Sequence, residues 1–176
     1  MKYLSKTVLF LLLLLGFIIF FMPKTELYYK AETLLSQHKI ILSGEIVKDH
    51  GFVFNVEGGK LFFDDLEIAE LDGITVIPLL AYNRISFAPF AFSDNMKNFI
   101  PGQITQMNIQ HSIINPLKVF YTVTGDFGDL NGTVVLAEQR ILAELIPSKT
   151  LLKQKPVWLR QFKKQEGGVY RYESTY

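Results

Sequence analysis

Few residues of this 176-residue chain have the types and spacing that catalysis requires. Asp64, Asp65 and Glu67 form an acidic cluster between two apolar segments. Paired carboxylates can act as general acid and general base, but only where their surroundings give the two groups different roles. The neighbouring residues offer nothing that would assign those roles. We therefore interpret the cluster as a solvated turn.

A second group of polar residues resembles part of a calcium-binding loop. Asp129, Asn131, Gly132 and Glu138 fit positions 3, 5, 6 and 12 of such a loop. Position 1 would be Phe127, which has no ligand atom in its side chain, and the flanking residues alternate as strands do. The pattern therefore does not predict a calcium site.

The remaining residue types give no enzyme signature. His38, His50 and His111 lack the short spacing of a zinc site, and no serine lies in a Gly-x-Ser-x-Gly turn. No glycine-rich phosphate loop precedes a helix, and cysteine is absent. With 18 Lys and Arg against 17 Asp and Glu, the charge also argues against nucleic-acid binding. We expect neither enzymatic activity nor a cofactor or metal.

The strongest signal is an uncharged apolar run from Val8 to Met22. On an insertion scale it favours the bilayer by at most about 4–8 kcal/mol. As a helix it is ~22 Å long, which is modestly short of a hydrocarbon core of ~30 Å. We predict a transmembrane anchor, with apolar positions that include Val8, Leu9, Leu12, Leu15, Ile18 and Phe21.

A cleaved signal peptide is the alternative interpretation of this run. Lys2 and Lys6 would form its positive region, and the apolar run is close to the usual length. However, the run ends in Phe20–Lys24 (FFMPK), which contains no small-x-small cleavage site. The uncleaved anchor is therefore preferred.

Charge around the run predicts its orientation. Lys2 and Lys6 precede it with no acidic residue among them, whereas Lys24 and Lys30 are mixed with glutamates. The positive-inside rule places the N-terminus in the cytoplasm and the remainder outside. We therefore divide the chain into a stub and anchor, 1–23, and a β-rich domain, 24–176.

The pattern after the anchor changes from helix to strand. Leu27, Ala31, Leu34 and Leu35 have helical spacing, with Thr25 as N-cap, and predict a short amphipathic helix over 26–38. From residue 40 the apolar period becomes two. Strands are predicted near 52–57, 61–68, 74–80, 85–92, 104–113, 117–124, 133–137, 140–146 and 169–176.

Two glycine-containing pairs predict tight turns. Gly58-Gly59 follows an alternating segment, and Asn131-Gly132 fits a type I′ hairpin between strands 117–124 and 133–137. A basic segment, 149–164, then precedes the last strand, and Pro156 could begin a short amphipathic helix within it. The fold class is mainly β: an antiparallel sheet of about eight to ten strands, open, curled or barrel-like.

Two segments support a family resemblance. Residues 59–92 (GKLFFDDLEIAELDGITVIPLLAYNRISFAPFAF) resemble the repeating ladders of periplasmic AsmA-type proteins and, more closely, the type II secretion system protein N family. Residues 117–151, with G-x-F-G-x-x-x-G between strands and a following PSK, are similar to the C-terminal hairpin of that family. The resemblance implies a bitopic inner-membrane protein with a periplasmic β-domain, accessory to a secretion, pilus or uptake machine. It supplies no catalytic residues.

The first functional hypothesis is a scaffold that contacts envelope secretion-machine proteins. Sheet edges and the basic segment would form the contacts, and Trp158 and Phe162 would supply aromatic anchors beside Lys155 and Arg160. The alternative for Trp158 is that it only seals the end of the sheet.

The second hypothesis is a carrier of lipid or lipopolysaccharide. Some predicted strands are apolar on both faces, which exceeds what one buried face needs, and Phe63, Ile77 and Phe90 are the candidate groove residues. The alternative is that helix 26–38 covers the second face. The sequence favours the scaffold.

Overall fold

The computed structural model describes residues 2–96, 99–100 and 102–176, and its secondary structure is mainly β. The α-helices in this described part are α1 (Lys2–Phe21), α2 (Lys24–Gln37) and α3 (Lys149–Gln154). Short 3₁₀ segments lie at Leu136–Glu138, Val157–Gln161 and Glu166–Gly168.

The strands of the described residues belong to one antiparallel sheet of 14 strands. The sheet is open, since β1 and β13 end its pairing order. The strands are β1 (Ile40–Ser43), β2 (Ile46–Asp49), β3 (Phe54–Glu57), β4 (Lys60–Phe63), β5 (Leu66–Leu71), β6 (Gly73–Pro78), β7 (Tyr82–Phe87), β8 (Phe90–Phe92), β9 (Gln103–Ser112), β10 (Lys118–Gly125), β11 (Gly128–Val135), β12 (Arg140–Pro147), β13 (Lys163–Lys164) and β14 (Tyr170–Thr175).

The topology is a meander whose first strands are each broken once. The pairs β1–β2, β3–β4, β5–β6 and β7–β8 follow one another along the chain, and each pair acts as one long strand with a bend in it. The breaks lie at 44–45, 58–59, 72 and 88–89, so they form a crease across the sheet. This crease explains why the strands outnumber the eight to ten that the sequence predicts.

The crease divides the first half of the sheet into two arms. The first arm is β1, β4, β5 and β8, and the second arm is β2, β3, β6 and β7. The unbroken β9 pairs with both arms, with β8 through Gln103 and Ile104 and with β7 from Met107 onward. The two arms therefore diverge from a common strand.

The two faces of the sheet differ in polarity. On the inner face, residues in register across the strands are mostly apolar: Phe54, Val76, Ile85, Ile109, Tyr121, Gly132, Ala143 and Tyr172. On the outer face, the next register row is entirely polar: Lys48, Asn55, Thr75, Ser86, Asn108, Thr122, Asn131, Glu144, Arg171 and Lys163. A sheet with one polar face is typical of antiparallel folds.

The segment 148–169 covers the inner face of the second half of the sheet. Leu151 of α3 and Leu159 pack with Ile104, Phe127 and Leu145 in one buried cluster. The side chain of Ser148 caps α3 by accepting a hydrogen bond from the backbone N–H of Leu151 at 3.2 Å. This cluster is the main core of the described residues.

Helix α1 contacts the domain near its C-terminal end. Ile19 is buried, and the ring of Phe20 lies against Gly51 and 5.5 Å from the ring of Phe52. The large apolar side chains from Val8 to Ile18 are exposed. Among the described helices, none taken singly is long and apolar enough to cross a bilayer. Residues 5–21 and α2 taken together have sufficient length and apolar composition, but a bend of 55° separates them.

The predicted hairpin at Asn131-Gly132 is wrong. Both residues lie inside β11, paired with Thr122 and Tyr121 on β10, and the turn is at Asp126-Phe127 instead. The type I′ backbone occurs at Asp64-Asp65, with φ of 50° and 65°, between β4 and β5. Aspartate tolerates this left-handed conformation, so two members of the acidic cluster form a turn, whereas Glu67 lies in β5 and pairs with Lys60.

The predicted tight turn at Gly58-Gly59 is also wrong, because it connects β3 and β4, which do not pair with each other. These glycines instead carry the chain across the crease, with φ of 69° and 114°. The predicted short helix is confirmed as α2, but it begins at Lys24 after Pro23 and has no side-chain cap from Thr25. The expected helix after Pro156 is one 3₁₀ segment.

Candidate functional site: an apolar groove beneath α2

A groove of about 480 Å³ lies between the two arms and α2. Its volume is within the range of small-molecule sites, about 300–1,000 Å³. The sheet lines it with Ile40, Leu42, Phe54, Val56, Leu61, Leu71, Ile74, Val76, Pro78, Ile85 and Phe87. Every one of these side chains is apolar, so the groove offers dispersion contacts and few hydrogen-bonding groups.

The other wall is α2 and the chain just before it. Leu27, Tyr28, Ala31 and Leu35 lie along one side of the helix at helical spacing, and Met22 precedes them. Lys24 and Glu32 are the charged residues of this wall. Leu27 and Leu35 remain about half exposed, at 49% and 47%. The helix therefore lies over the groove without filling it.

The floor of the groove is well packed. Phe54, Val56 and Leu71 are 3%, 2% and 4% exposed. They come from both arms, so the crease positions them: it turns the inner faces of β3 and β5 toward one space. A flat sheet would leave these side chains side by side.

Tyr28 attaches α2 to the crease. Its hydroxyl donates a hydrogen bond to Glu45 Oε1 at 2.9 Å, and its ring lies 5.7 Å from that of Phe54. Burial and the Glu45 carboxylate raise the pKa of Tyr28 well above its usual value. Tyr28 is therefore a protonated donor at neutral pH.

Lys24 fixes the start of α2 on the second arm. Its side chain is 4% exposed, and Nζ lies 3.3 Å from Asp49 Oδ1. Nζ also donates to the carbonyl of Met22 at 3.2 Å. These contacts satisfy the buried ammonium, which would otherwise be costly to desolvate.

The structure separates the three candidate groove residues. Phe63 lies two residues beyond Leu61 on β4 and is 51% exposed. Ile77 lies on the outer face, because its neighbours Val76 and Pro78 point into the groove. Phe90 packs between the groove and the core, with its ring centroid 6.4 Å from that of Phe87.

Two of the candidate partner-binding residues make internal contacts. Trp158 is half-buried, packs against the core cluster and donates its Nε1 hydrogen to the carbonyl of Phe99. Phe162 packs between Trp158 and Tyr172, at 5.8 Å and 5.4 Å between ring centroids. Lys155 and Arg160, in contrast, are exposed. The aromatic pair therefore contributes to closing the end of the sheet.

A second depression, of about 540 Å³, lies on the outer face and has a different character. Arg171 pairs there with Glu144, and Arg140 pairs with Glu138 at 2.6 Å and with Glu173 at 3.2 Å. Its charges are already paired with one another, and all of the paired side chains except the partly buried Arg140 are exposed. Among the described residues, no group of three His, Asp or Glu side chains is placed to hold a metal ion.

Sequence patterns indicate the groove only in part. The alternation of Ile74, Val76 and Pro78 indicates one apolar face, but the residue facing the groove depends on the crease. Lys24 and Tyr28 carry no such signal, because the partner of each is distant in sequence.

Comparison with known proteins found no matching family model, no matching curated protein and no matching solved structure. The resemblance to the type II secretion system protein N family stays a prediction.

Proposed function

We propose that this chain is a bitopic inner-membrane protein, anchored by α1, whose periplasmic β-domain takes the acyl chain of a membrane lipid into the groove beneath α2. The observation that carries this proposal is the lining: eleven sheet residues without a polar side chain face a space that α2 covers but does not fill. Burial of apolar surface contributes roughly 25 cal/mol per Å², so an alkyl chain is the ligand chemistry that gains most there.

The position of the groove supports the membrane as the source of the acyl chain. Met22 and Lys24, which directly follow α1, contribute to the groove wall. The side chains of α1 between Val8 and Phe21 are mostly apolar and exposed, as suits a helix surrounded by lipid. If α1 lies in the bilayer, one end of the groove lies next to the membrane surface, and a lipid chain reaches it over a short distance.

The test is photocrosslinking in membranes with a phospholipid that carries a diazirine on its acyl chain. The full chain should be labelled, and the labelled peptides should come from α2, β3 and β6. Val76→Glu places a carboxylate in the groove and should reduce labelling to background. Ile77→Glu, one residue away on the outer face, is the matched control and should label like the unchanged chain.

A second variant protects the test against a folding defect. Ala31 lies on α2, lines the groove and is itself exposed. The larger side chain of Ala31→Trp should therefore fill the groove without disturbing the packing of the sheet. Loss of labelling in this variant, with an unchanged circular dichroism spectrum, supports acyl binding. Equal labelling of the Val76, Ile77 and Ala31 variants contradicts the proposal.

The second candidate function is an accessory or scaffold protein of a type II secretion-like, pilus or uptake machine. One observation favours it: the basic side chains of residues 149–164 are all exposed. They are Lys149, Lys153, Lys155, Arg160, Lys163 and Lys164. Such a surface suits an acidic protein partner. In the same membranes, protein crosslinks from this segment without lipid labelling of the groove would favour the scaffold.

A further inference from the structure

The antiparallel meander places alternate turns at the same end of the sheet. One end, called here the α1 end, carries the turns at 50–53, 79–81, 113–117 and 136–139. The opposite end carries Asp64-Asp65, Asp126-Phe127 and the segment 148–169. Helix α1 belongs to the first end, because Phe20 contacts Gly51 and Phe52 there.

The direction of α2 shows where α1 projects. Lys24 at the start of α2 pairs with Asp49 at the α1 end, and Lys39 just after α2 pairs with Asp64 at the opposite end. The bend between the two helices is 55°. Traced back from Lys24, α1 therefore continues outward past the α1 end of the sheet.

The turns at the α1 end expose large apolar side chains. Ile113 and Ile114 are 61% and 84% exposed, and Phe52 is 46% exposed. Leu80 and Leu136 are 38% and 43% exposed. The turns at 79–81 and 113–117 contain no charged residue, whereas the turn at the opposite end between β4 and β5 consists of two aspartates.

Backbone hydrogen bonds join three of these turns, 79–81, 113–117 and 136–139, into one surface. The N–H of Ile113 donates to the carbonyl of Ala81 at 3.1 Å, and the N–H of Leu136 donates to the carbonyl of Leu117 at 2.8 Å. The apolar tips of these three turns are therefore held beside one another, and Phe52 of the fourth turn lies against Phe20 of α1. Contiguous exposed apolar surface of this kind marks an interaction site.

Leu80 provides an independent observation. Its φ is 58°, in the left-handed region that glycine and asparagine occupy at low cost. Its exposed side chain is not part of the buried core. A leucine at this position opposes local stability, as is typical of residues kept for an interaction.

We infer that the turns 50–53, 79–81, 113–117 and 136–139 form an apolar rim that rests in the interfacial layer of the bilayer from which α1 emerges. This inference rests on the anchor in the proposed function but not on acyl binding. The occupant is lipid rather than protein, because α1 is continuous with the rim and projects past it. Apolar tips with little charge are suited to the boundary of headgroups and acyl chains, and the one carboxylate in these turns, that of Glu138, pairs with Arg140.

The absence of cysteine from the chain makes a depth measurement direct. The full chain, reconstituted in phosphatidylcholine–phosphatidylglycerol vesicles, carries an environment-sensitive fluorophore at Ile114→Cys, Leu80→Cys or Asp65→Cys. A phospholipid with a spin label near its headgroup should quench positions 114 and 80 several-fold more strongly than position 65. Position 65, at the opposite end, is the matched control.

A stability measurement completes the test. Leu80→Gly removes both the apolar tip and the unfavourable φ, so it should raise the midpoint of unfolding in detergent and weaken quenching at position 114. Rim labels in a dry environment without lipid quenching would show a protein contact and overturn the inference. Equal quenching at all three positions would overturn it too.

The outcomes also separate this inference from the proposed function. If the chain floats with vesicles while the label at position 114 stays in water, the rim is contradicted and the anchor is retained. If the chain does not float, both the anchor and the rim are contradicted. Acyl photolabelling of the groove tests neither the anchor nor the rim, so loss of that labelling does not contradict the rim.

Discussion

At the scale of single residues, the large side chain of Tyr121 requires a glycine at position 132, its neighbour across the sheet. Tyr121 lies opposite Gly132 on the inner face and donates its hydroxyl to the carbonyl of Leu142 at 3.2 Å. Burial raises the pKa of Tyr121, so the hydroxyl stays a donor. A Cβ at position 132 would overlap the tyrosine ring and lie 2.6 Å from the Leu142 carbonyl oxygen.

This packing predicts that Gly132→Ala destabilises the domain by about 1–3 kcal/mol, the usual cost of overpacking. The expected loss comes from steric overlap of the added Cβ with Tyr121 and Leu142, because the backbone of Gly132 does not have a positive φ. Asn131→Ala, at the neighbouring exposed position, should change stability by less than about 0.5 kcal/mol. Urea unfolding measures both, and equal midpoints would contradict the assignment.

At the scale of elements, local sequence patterns predicted whether a segment is a helix or a strand better than they predicted which strands pair. The apolar spacing of Leu27, Ala31 and Leu35 identified α2, and the alternation of residues 117–124 identified β10. The turn signal of Asn131-Gly132 was overridden, because Gly132 accommodates Tyr121 and the strand continues through it. Tertiary packing thus determined where the turn lies.

The crease and the groove were not predictable from the sequence. Each break in a strand is a local event, at 58–59 or 88–89 for example, and no local pattern states that the breaks align across neighbouring strands. The groove depends on that alignment. Residues such as Val76 and Ile77 could be assigned to opposite faces, but the face toward α2 could not be chosen.

The attachment of α2 gives a prediction at this scale. Tyr28→Phe removes the hydrogen bond to Glu45, which should cost about 0.5–1.5 kcal/mol and speed amide hydrogen exchange in α2. Tyr29→Phe, on the exposed side, is the control. Because the pKa of Tyr28 is raised on folding, this stabilisation is complete below about pH 10 and is lost as pH rises further. Unchanged exchange in α2 would contradict the attachment.

At the scale of the whole molecule, the two halves of the sheet are covered in different ways. Segment 148–169 fills the inner face of the second half with Leu151 and Leu159, whereas α2 leaves a groove over the first half. The second half is therefore the more rigidly packed part. The arms are the part that a ligand can stabilise.

If the groove binds an acyl chain as proposed, this difference predicts a regional response to lipid. A bound acyl chain stabilises only the state that binds it, so delipidated protein should exchange amide hydrogens faster in α2 and β1–β8. Strands β10–β12 should exchange at the same rate with and without lipid. Hydrogen exchange with mass spectrometry compares the two forms, and a uniform change over the whole sheet would contradict this division.

The late position of segment 148–169 in the chain has a consequence for synthesis. Each strand from β9 to β12 pairs with the one made just before it, so this part of the sheet can assemble as it emerges. Its apolar inner face, which includes Ile104 and Leu145, stays uncovered until residues 148–169 arrive. We expect chains stopped near residue 147 to be captured by chaperones or degraded, while slightly longer chains that include Leu159 escape.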